Sequence, residues 1–559
     1  MKKNKRVIAL ILILALCLLM LAACGGNNND NNDNNNQAAA PGGTPAGSAA
    51  PGGNSSEPPA STWVAPATET AAPPEEGAQF ADHVELLLEQ GIGVLNTHSL
   101  AGAGLYNGSG NQMIHAFLTW SELDGKTILP YLATSWESED YQTWIFHLRD
   151  DAWFTNGDKL TAEDVVWSCN ASKANIGTVA WESWMFVEEA RAIDDYTVEL
   201  KLGMVFYDFP GIMSTAGTMI YNKRAIEEDP EKGYWVGAGP YKVKEFSTND
   251  YVIFERNDDF WGTLPYTETV TFRFVPEASS RTIMMENGTG HVAKAIPTTD
   301  YPIFQNNPDY KFITASLNNP MCIMFNLDDP VCGDWNFRMA VASALDRDNL
   351  ITLAGINGTP VADDEASLWG KVTSYRNPNV DMVPFDLDKA KEYLAASKYD
   401  GTPIEFAYET TYPRLGEVLQ EQLAKIGLQI TLNPMDTAAF TAYSAWGDNH
   451  AQIVFYALVF APLPIIGYNI NLVEGANNNR MNFNNPEVNE LVGGTFSLTD
   501  PAEMQRVYYR MQEIVAETMP AIPVYWITSA AIAVNNLGGY ALGYQATEDF
   551  THVFIDLNK

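Results

Sequence analysis

Hydrophobic positions fall into two alternating rhythms along the chain. Over residues 143–149, Trp144, Phe146 and Leu148 alternate with polar neighbours, which predicts a half-buried strand. Further strands are predicted at 84–88, 198–202, 241–246 and 251–255. Asn156-Gly157 marks a hairpin-type turn. Thr161, Glu163 and Asp164, just before Val165 and Val166, form a capping-box variant that opens a helix. From about residue 316 the style changes. Short apolar runs at 321–327 and 452–460 predict buried strands. Phe337, Ala340, Val341, Ala344 and Leu345 repeat at helical spacing and form one apolar face. A strand at 404–408, a helix at about 415–426 stopped by Gly427, and a strand at 428–432 make a βαβ unit with parallel pairing. Asp500, Pro501 and Glu503 open a helix that turns Val507, Met511, Ile514 and Val515 inward. Residues 522–527 read as strand again. The coarse picture is α/β, two bodies, with irregular β-rich material in the first.

The N-terminus follows another rule. Lys2, Lys3, Lys5 and Arg6 precede an unbroken apolar run over 7–23, the pattern of a secretory signal. Leu21-Ala22-Ala23-Cys24 resembles a bacterial lipobox, in which Cys24 is acylated and becomes the new N-terminus. The alternative is an uncleaved membrane anchor, for which the run is short. Residues 24–78, rich in Asn, Gly, Pro and Ala, offer almost nothing apolar to bury and are expected to form a disordered tether. The ordered part, from about residue 79 to 559, is long enough for two or three domains.

Charge narrows the partners. With 69 acidic against 33 basic residues the formal net charge is −36, which repels phosphate backbones and rules out nucleic acid. The acids are spread along the chain, which favours solubility over cation binding. Three cysteines remain in the body, Cys169, Cys322 and Cys332, with no CxxC motif. Pairing of Cys322 with Cys332 is possible outside the cytoplasm, although separate buried thiols are the simpler reading.

In order, Pro130 to Trp136, Phe146 to Arg149, Phe154 to Gly157, Leu160 to Val165, the Gly237-Ala-Gly-Pro-Tyr241 loop and Arg256-Asn-Asp-Asp-Phe-Trp-Gly262 form a set, followed by Phe325-Asn326 and the segment from Arg338 to Asp346. This set resembles the extracytoplasmic solute-binding proteins of ABC importers, in the peptide, nickel and opine class (bacterial extracellular solute-binding family 5). The resemblance spans residues 86–527. It implies a two-lobed α/β periplasmic-binding fold. Lobe I would cover 79–315 plus 521–559, with a β-rich subdomain inserted at about 120–190. Lobe II would cover 316–520, with two connecting strands as the hinge. It also implies a lipid-anchored, monomeric, non-enzymatic module without cofactor, which closes on a peptide or another small solute and hands it to a membrane permease. An oligosaccharide or a metal chelate is the alternative cargo, and a sensor or enzyme reusing the fold is the alternative role. Peptide binders of the family commonly carry an Asp just after the strand that matches 452–460, and residues 456–464 hold no acid. An unpaired buried ammonium would cost on the order of several kcal/mol. A second departure is Asn287-Gly-Thr-Gly-His291, which lacks the family's Asp.

Candidate cleft residues are Tyr412 and Arg414, just past a second-lobe strand, with Asp436, Tyr456 and Phe460 from the same lobe and His98 from a first-lobe loop. Aromatic rings would wall side chains, Arg414 would take an anion and Asp436 a cation. Core packing for the rings, a solvated surface role for Arg414 and Asp436, and a loop hydrogen bond for His98 are the competing readings. The 237–240 loop lacks the Lys-Ser/Thr ending of a phosphate cradle and reads as a tight turn. The seven histidines show no metal-ligand spacing, and no HExxH, GxSxG or P-loop pattern occurs.

Overall fold

The computed structural model describes residues 77–100, 106–122, 127–356, 358–360, 368–369, 374–380, 383–445, 451–458, 464–476, 478–542 and 548–559. Cys24, the signal segment 1–23, nearly all of the expected tether and Phe460 lie outside the described residues.

A single eleven-stranded mixed sheet runs through both lobes. Its order is Ile430–Met435, Ile404–Glu409, Ile453–Ala457, Tyr310–Phe325, Ala521–Val534, Val292–Lys294, His83–Leu88, Thr269–Phe274, Tyr251–Arg256 and Tyr241–Ser247. Gly358–Pro360 adds to the Ala521–Val534 strand off this path. Two antiparallel strands at the centre are much longer than the rest, with 16 and 14 residues. On one side of a break in their register Tyr310 pairs with Val534 and Ser316 with Thr528. Beyond it, Pro320 pairs with Trp526 and Met324 with Ala521. The register slips between Ser316 and Pro320, so the two strands bulge where they cross between lobes. They are the hinge of a two-lobed periplasmic-binding fold.

The sequence showed only short pieces of these strands, at 321–327 and 522–527. The crossing reads Ala-Ser-Leu-Asn-Asn-Pro on one strand and Thr-Ser-Ala-Ala on the other. Ser, Asn and Pro on one strand and Thr and Ser on the other leave that stretch without the apolar alternation from which a strand is predicted. The βαβ unit forms as expected. Ile404–Glu409 and Ile430–Met435 pair in parallel around the Leu415–Ala424 helix, and Gly427 takes the left-handed conformation (φ 88°) that ends it.

In the first lobe a separate four-stranded antiparallel sheet comprises Ala133–Glu137, Thr143–Leu148, Thr197–Leu202 and Val187–Asp194. Trp144, Phe146 and Leu148 are buried, as their alternation predicts. The Ala162–Ala174 helix packs on this sheet and carries the full capping box of Thr161 and Asp164. One apolar cluster is continuous from this subdomain into the second lobe, joining Phe206 and Phe209 to Trp369, Tyr468 and Tyr508. Cys169, Cys322 and Cys332 are free thiols, all buried. The ends of the body are tied together in the first lobe. Leu557 N–H donates to Gln79 O at 2.8 Å, and Phe80 packs on Tyr266 and Phe554.

Candidate functional site

Three parallel second-lobe strands, Ile404–Glu409, Ile430–Met435 and Ile453–Ala457, end at one edge of the sheet. The adjoining Tyr310–Phe325 strand runs antiparallel, so its Pro320–Met321 end lies at that same edge, beside the lobe crossing. Crevices outside the carboxyl ends of parallel strands are where open α/β sheets hold ligands. Tyr412, Arg414, Asp436 and Tyr456 all follow or end these strands, so four of the six sequence candidates share this edge.

They do not share one face of it. Tyr456 is half-buried on the face turned toward the first-lobe subdomain and packs against that cluster. Tyr412 is half-buried on the opposite face, edge-on to Phe455 at 5.4 Å, with its hydroxyl 4.0 Å from the Met321 sulfur. Arg414 is exposed at the N-terminus of the Leu415–Ala424 helix. Asp436 is exposed and caps the Thr437–Tyr443 helix, its Oδ1 accepting from the Ala438 and Ala439 N–H groups at 3.1 and 3.0 Å. His98 is elsewhere, inside the first lobe. Its Nε2 is 2.9 Å from Ser172 Oγ, its Nδ1 is 3.1 Å from Tyr234 Oη, and its ring lies on Tyr221. Burial pushes its pKa down to about 4, so it is neutral at pH 7.

Arg480, which sequence reasoning missed, organises the Tyr456 face. It is only 1% exposed, and its guanidinium carbon sits 3.9 Å from the Tyr456 ring centroid and 5.7 Å from that of Phe440. Its Nη1 donates to Ser444 Oγ and, at 3.4 Å, to Thr441 O. Behind it, Asn478 Nδ2 donates to Asn471 Oδ1 at 2.6 Å and to Ala457 O at 3.2 Å. The visible signal was Asn477-Asn-Asn-Arg480, a polar run bounded by Ala476 and Met481 whose described members are buried. Nearby, Tyr443 Oη is 3.0 Å from both oxygens of Glu405, which also accepts from Asn433.

The first lobe turns a matching edge toward the crossing. His83–Leu88, Thr269–Phe274 and Val292–Lys294 are parallel and end there. Lys294 forms a buried ion pair with Glu548 and donates to Ser529 Oγ at 2.9 Å, on the long strand next to the crossing. Burial raises the Glu548 carboxyl although Lys294 opposes it. Tyr106 donates to Glu89 at 2.7 Å. The hint was a lysine inside the apolar run Val292–Ile296.

A third surface joins the first-lobe subdomain to the second lobe. Phe206 meets Phe496 edge-to-face at 6.2 Å. Tyr375 and Tyr508 stack at 5.1 Å. Among the described residues no helix is long and apolar enough to cross a membrane.

Residues 127–479 match the family model of the bacterial extracellular solute-binding proteins, family 5 middle region. Among curated relatives, the nickel-binding periplasmic protein of Escherichia coli K12 is 22% identical over 501 residues, covering 84% of this chain and 94% of the relative. The periplasmic oligopeptide-binding protein OppA of Salmonella typhimurium is 22% identical over 524 residues, covering 85% and 93%. Among solved structures, the ABC transporter substrate-binding protein CtaP of Listeria monocytogenes superposes with a TM-score of 0.75 at 22% identity, covering 85% of this chain and 100% of that one. The periplasmic binding protein DppA of Helicobacter pylori, solved with the peptide STSA, gives 0.65 at 19% identity, covering 85% and 98%.

Proposed function

Because the chain belongs to the bacterial extracellular solute-binding proteins of family 5, we propose that it captures an oligopeptide between its lobes and delivers it to an ABC permease. Relatives named for oligopeptides cover most of the chain, and this supports a peptide cargo. The observation that carries the reading is the pair of strand-end edges that face one another across the bulged long strands. On the second-lobe edge Tyr456, held by Arg480, would wall a peptide side chain, and exposed Arg414 would meet an anion. Closure by bending at the crossing would sandwich the peptide between the two edges.

The lobes in this reading divide at 79–315 plus 521–559 and 316–520. The protein works as a monomer that binds without catalysis. It is held outside the cytoplasm by acylated Cys24, through a tether that spans roughly 40 Å as a relaxed coil.

Titration calorimetry with defined oligopeptides tests the cargo. Binding should be in the micromolar range or tighter, and Tyr456→Ala should weaken it about tenfold or more, the loss expected when an aromatic wall is removed. Peptide affinity that is unchanged in Tyr456→Ala would place the solute elsewhere.

A further inference from the structure

Residues 456–464 hold no acid, so a peptide lying along the second-lobe edge finds no carboxylate there for its terminal ammonium. The neighbouring strand supplies one. Ala407 of Ile404–Glu409 and Val454 of Ile453–Ala457 are register partners, and both are buried in the cluster turned toward the first-lobe subdomain. Two residues further along these strands stand Glu409 and Tyr456, and alternation by two puts both side chains on that same face. Glu409 is the last residue of its strand and is half-buried. Its Oε2 accepts from Thr437 Oγ1 at 3.3 Å and from Thr411 Oγ1 at 3.5 Å. Thr437 opens the helix whose Phe440 ring lies 5.7 Å from that of Tyr456, so the carboxyl group is tied beside the Tyr456 wall.

Both contacts are long for bonds from a hydroxyl, and Oε1 accepts none among the described residues. The group therefore keeps capacity for a stronger donor. Two other acids on this edge are engaged. Glu405, one alternation earlier on the same face, takes Tyr443 Oη at 3.0 Å on both oxygens and Asn433 Nδ2 on one. Asp436 caps the Thr437–Tyr443 helix. Arg480 agrees with this placement: burial lowers its guanidinium, and Tyr456 and Glu409 both oppose that fall.

We propose that Glu409 receives a primary ammonium of the solute, the free α-amino end of a peptide. The peptide then lies in one direction, its amino end at Glu409 and its first side chain on Tyr456. An ammonium offers three donors and a full charge, which a carboxylate held by two long hydroxyl bonds can accept without losing them. Closure of the lobes excludes water from the pair and strengthens it. The inference rests on the peptide reading and adds to it which end of the peptide the second lobe holds.

Titration calorimetry with the defined oligopeptide that binds most tightly, and with the same peptide N-acetylated, tests it. Acetylation removes the charge and leaves the side chains in place. The wild type should bind the free form about tenfold or more tightly than the acetylated one. Glu409→Gln, whose carboxamide oxygen can still accept from Thr437, should weaken the free form by about that factor and leave the acetylated form within about twofold, so that the preference disappears. Glu409→Ala should abolish the preference in the same way, and each variant is checked for folding by circular dichroism. A folded variant that keeps the preference, or that weakens both forms equally, would overturn the assignment and leave the peptide cargo standing, as would a wild type that binds both forms alike. Failure of every peptide to bind the wild type would overturn the cargo and this assignment together.

Discussion

Gly237 illustrates how much can rest on one missing side chain. A Cβ there would run into the Ile114 carbonyl, and one on Gly239 would come 2.6 Å from the Ile114 carbonyl carbon. Gly239 N–H donates to Ile114 O at 2.9 Å. The loop is glycine-rich because it lies flat against another backbone, a requirement the sequence expressed only as a tight turn. Neither glycine needs a positive φ. Gly237→Ala should cost about 2–4 kcal/mol by forcing the two segments apart, read as a lower urea midpoint at unchanged slope. The histidines give a second expectation. His98 is depressed to about 4 and the fully buried His115 to about 3 by desolvation. The unfolded chain, near 6.5, therefore binds the protons first, and stability drains away as pH falls from 6.5 toward the folded values. His98 alone should take away about 2 kcal/mol between pH 7 and pH 5, and His98→Gln should flatten that slope in urea titrations at the two pH values. Residue-scale features were legible where their partners are close in sequence. The box of Thr161 and Asp164 was read directly, whereas Lys294 and Glu548 are 254 positions apart and no local pattern joins them.

At the scale of elements, helix starts and amphipathic faces were the clearest part of the sequence. The Pro501–Thr518 helix begins where Asp500 and Pro501 predict, and Met511, Ile514 and Val515 are buried, with Val507 half-buried. Its inward face also includes Met504, Tyr508 and Gln512, because the helix is covered on two sides, by the Trp369–Tyr468 stack and by the segment around Tyr375. Asp500→Ala should cost about 1 kcal/mol through loss of the N-cap bond to Ala502, measured by chemical denaturation. The long strands were the least legible elements, since their middle reads Ser-Leu-Asn-Asn-Pro on one strand and Thr-Ser-Ala on the other, without apolar alternation. The slip between Ser316 and Pro320 breaks the ladder there. Amides of residues 317–319 should therefore exchange with solvent faster than those of Ile313 and Ile323 in hydrogen-exchange measurements, as expected of a hinge. Uniform protection along the whole strand would argue that the crossing is stiff.

At the scale of the whole molecule, the fold was recognisable from an ordered set of motifs, and the strand-end edge from residues that follow predicted strands. Which face of the sheet each side chain takes was not recognisable. Period two fixes the face of Tyr456 within Ile453–Ala457, but Tyr412 lies beyond the end of its strand and is free of that alternation, and the two finish on opposite sides. His98 sits in a loop whose sequence says nothing of the helix and tyrosines that enclose it. The described chain begins against its own C-terminus in the first lobe, so a membrane tether there would hold that lobe and leave the second free to swing. Native mass spectrometry of the gently purified protein asks most directly whether the cleft holds a peptide. The protein should carry a solute of a few hundred daltons that fragments as a peptide, and Tyr456→Ala should lose it. A retained metal chelate or sugar, or no adduct after incubation with any peptide mixture, would contradict the peptide assignment.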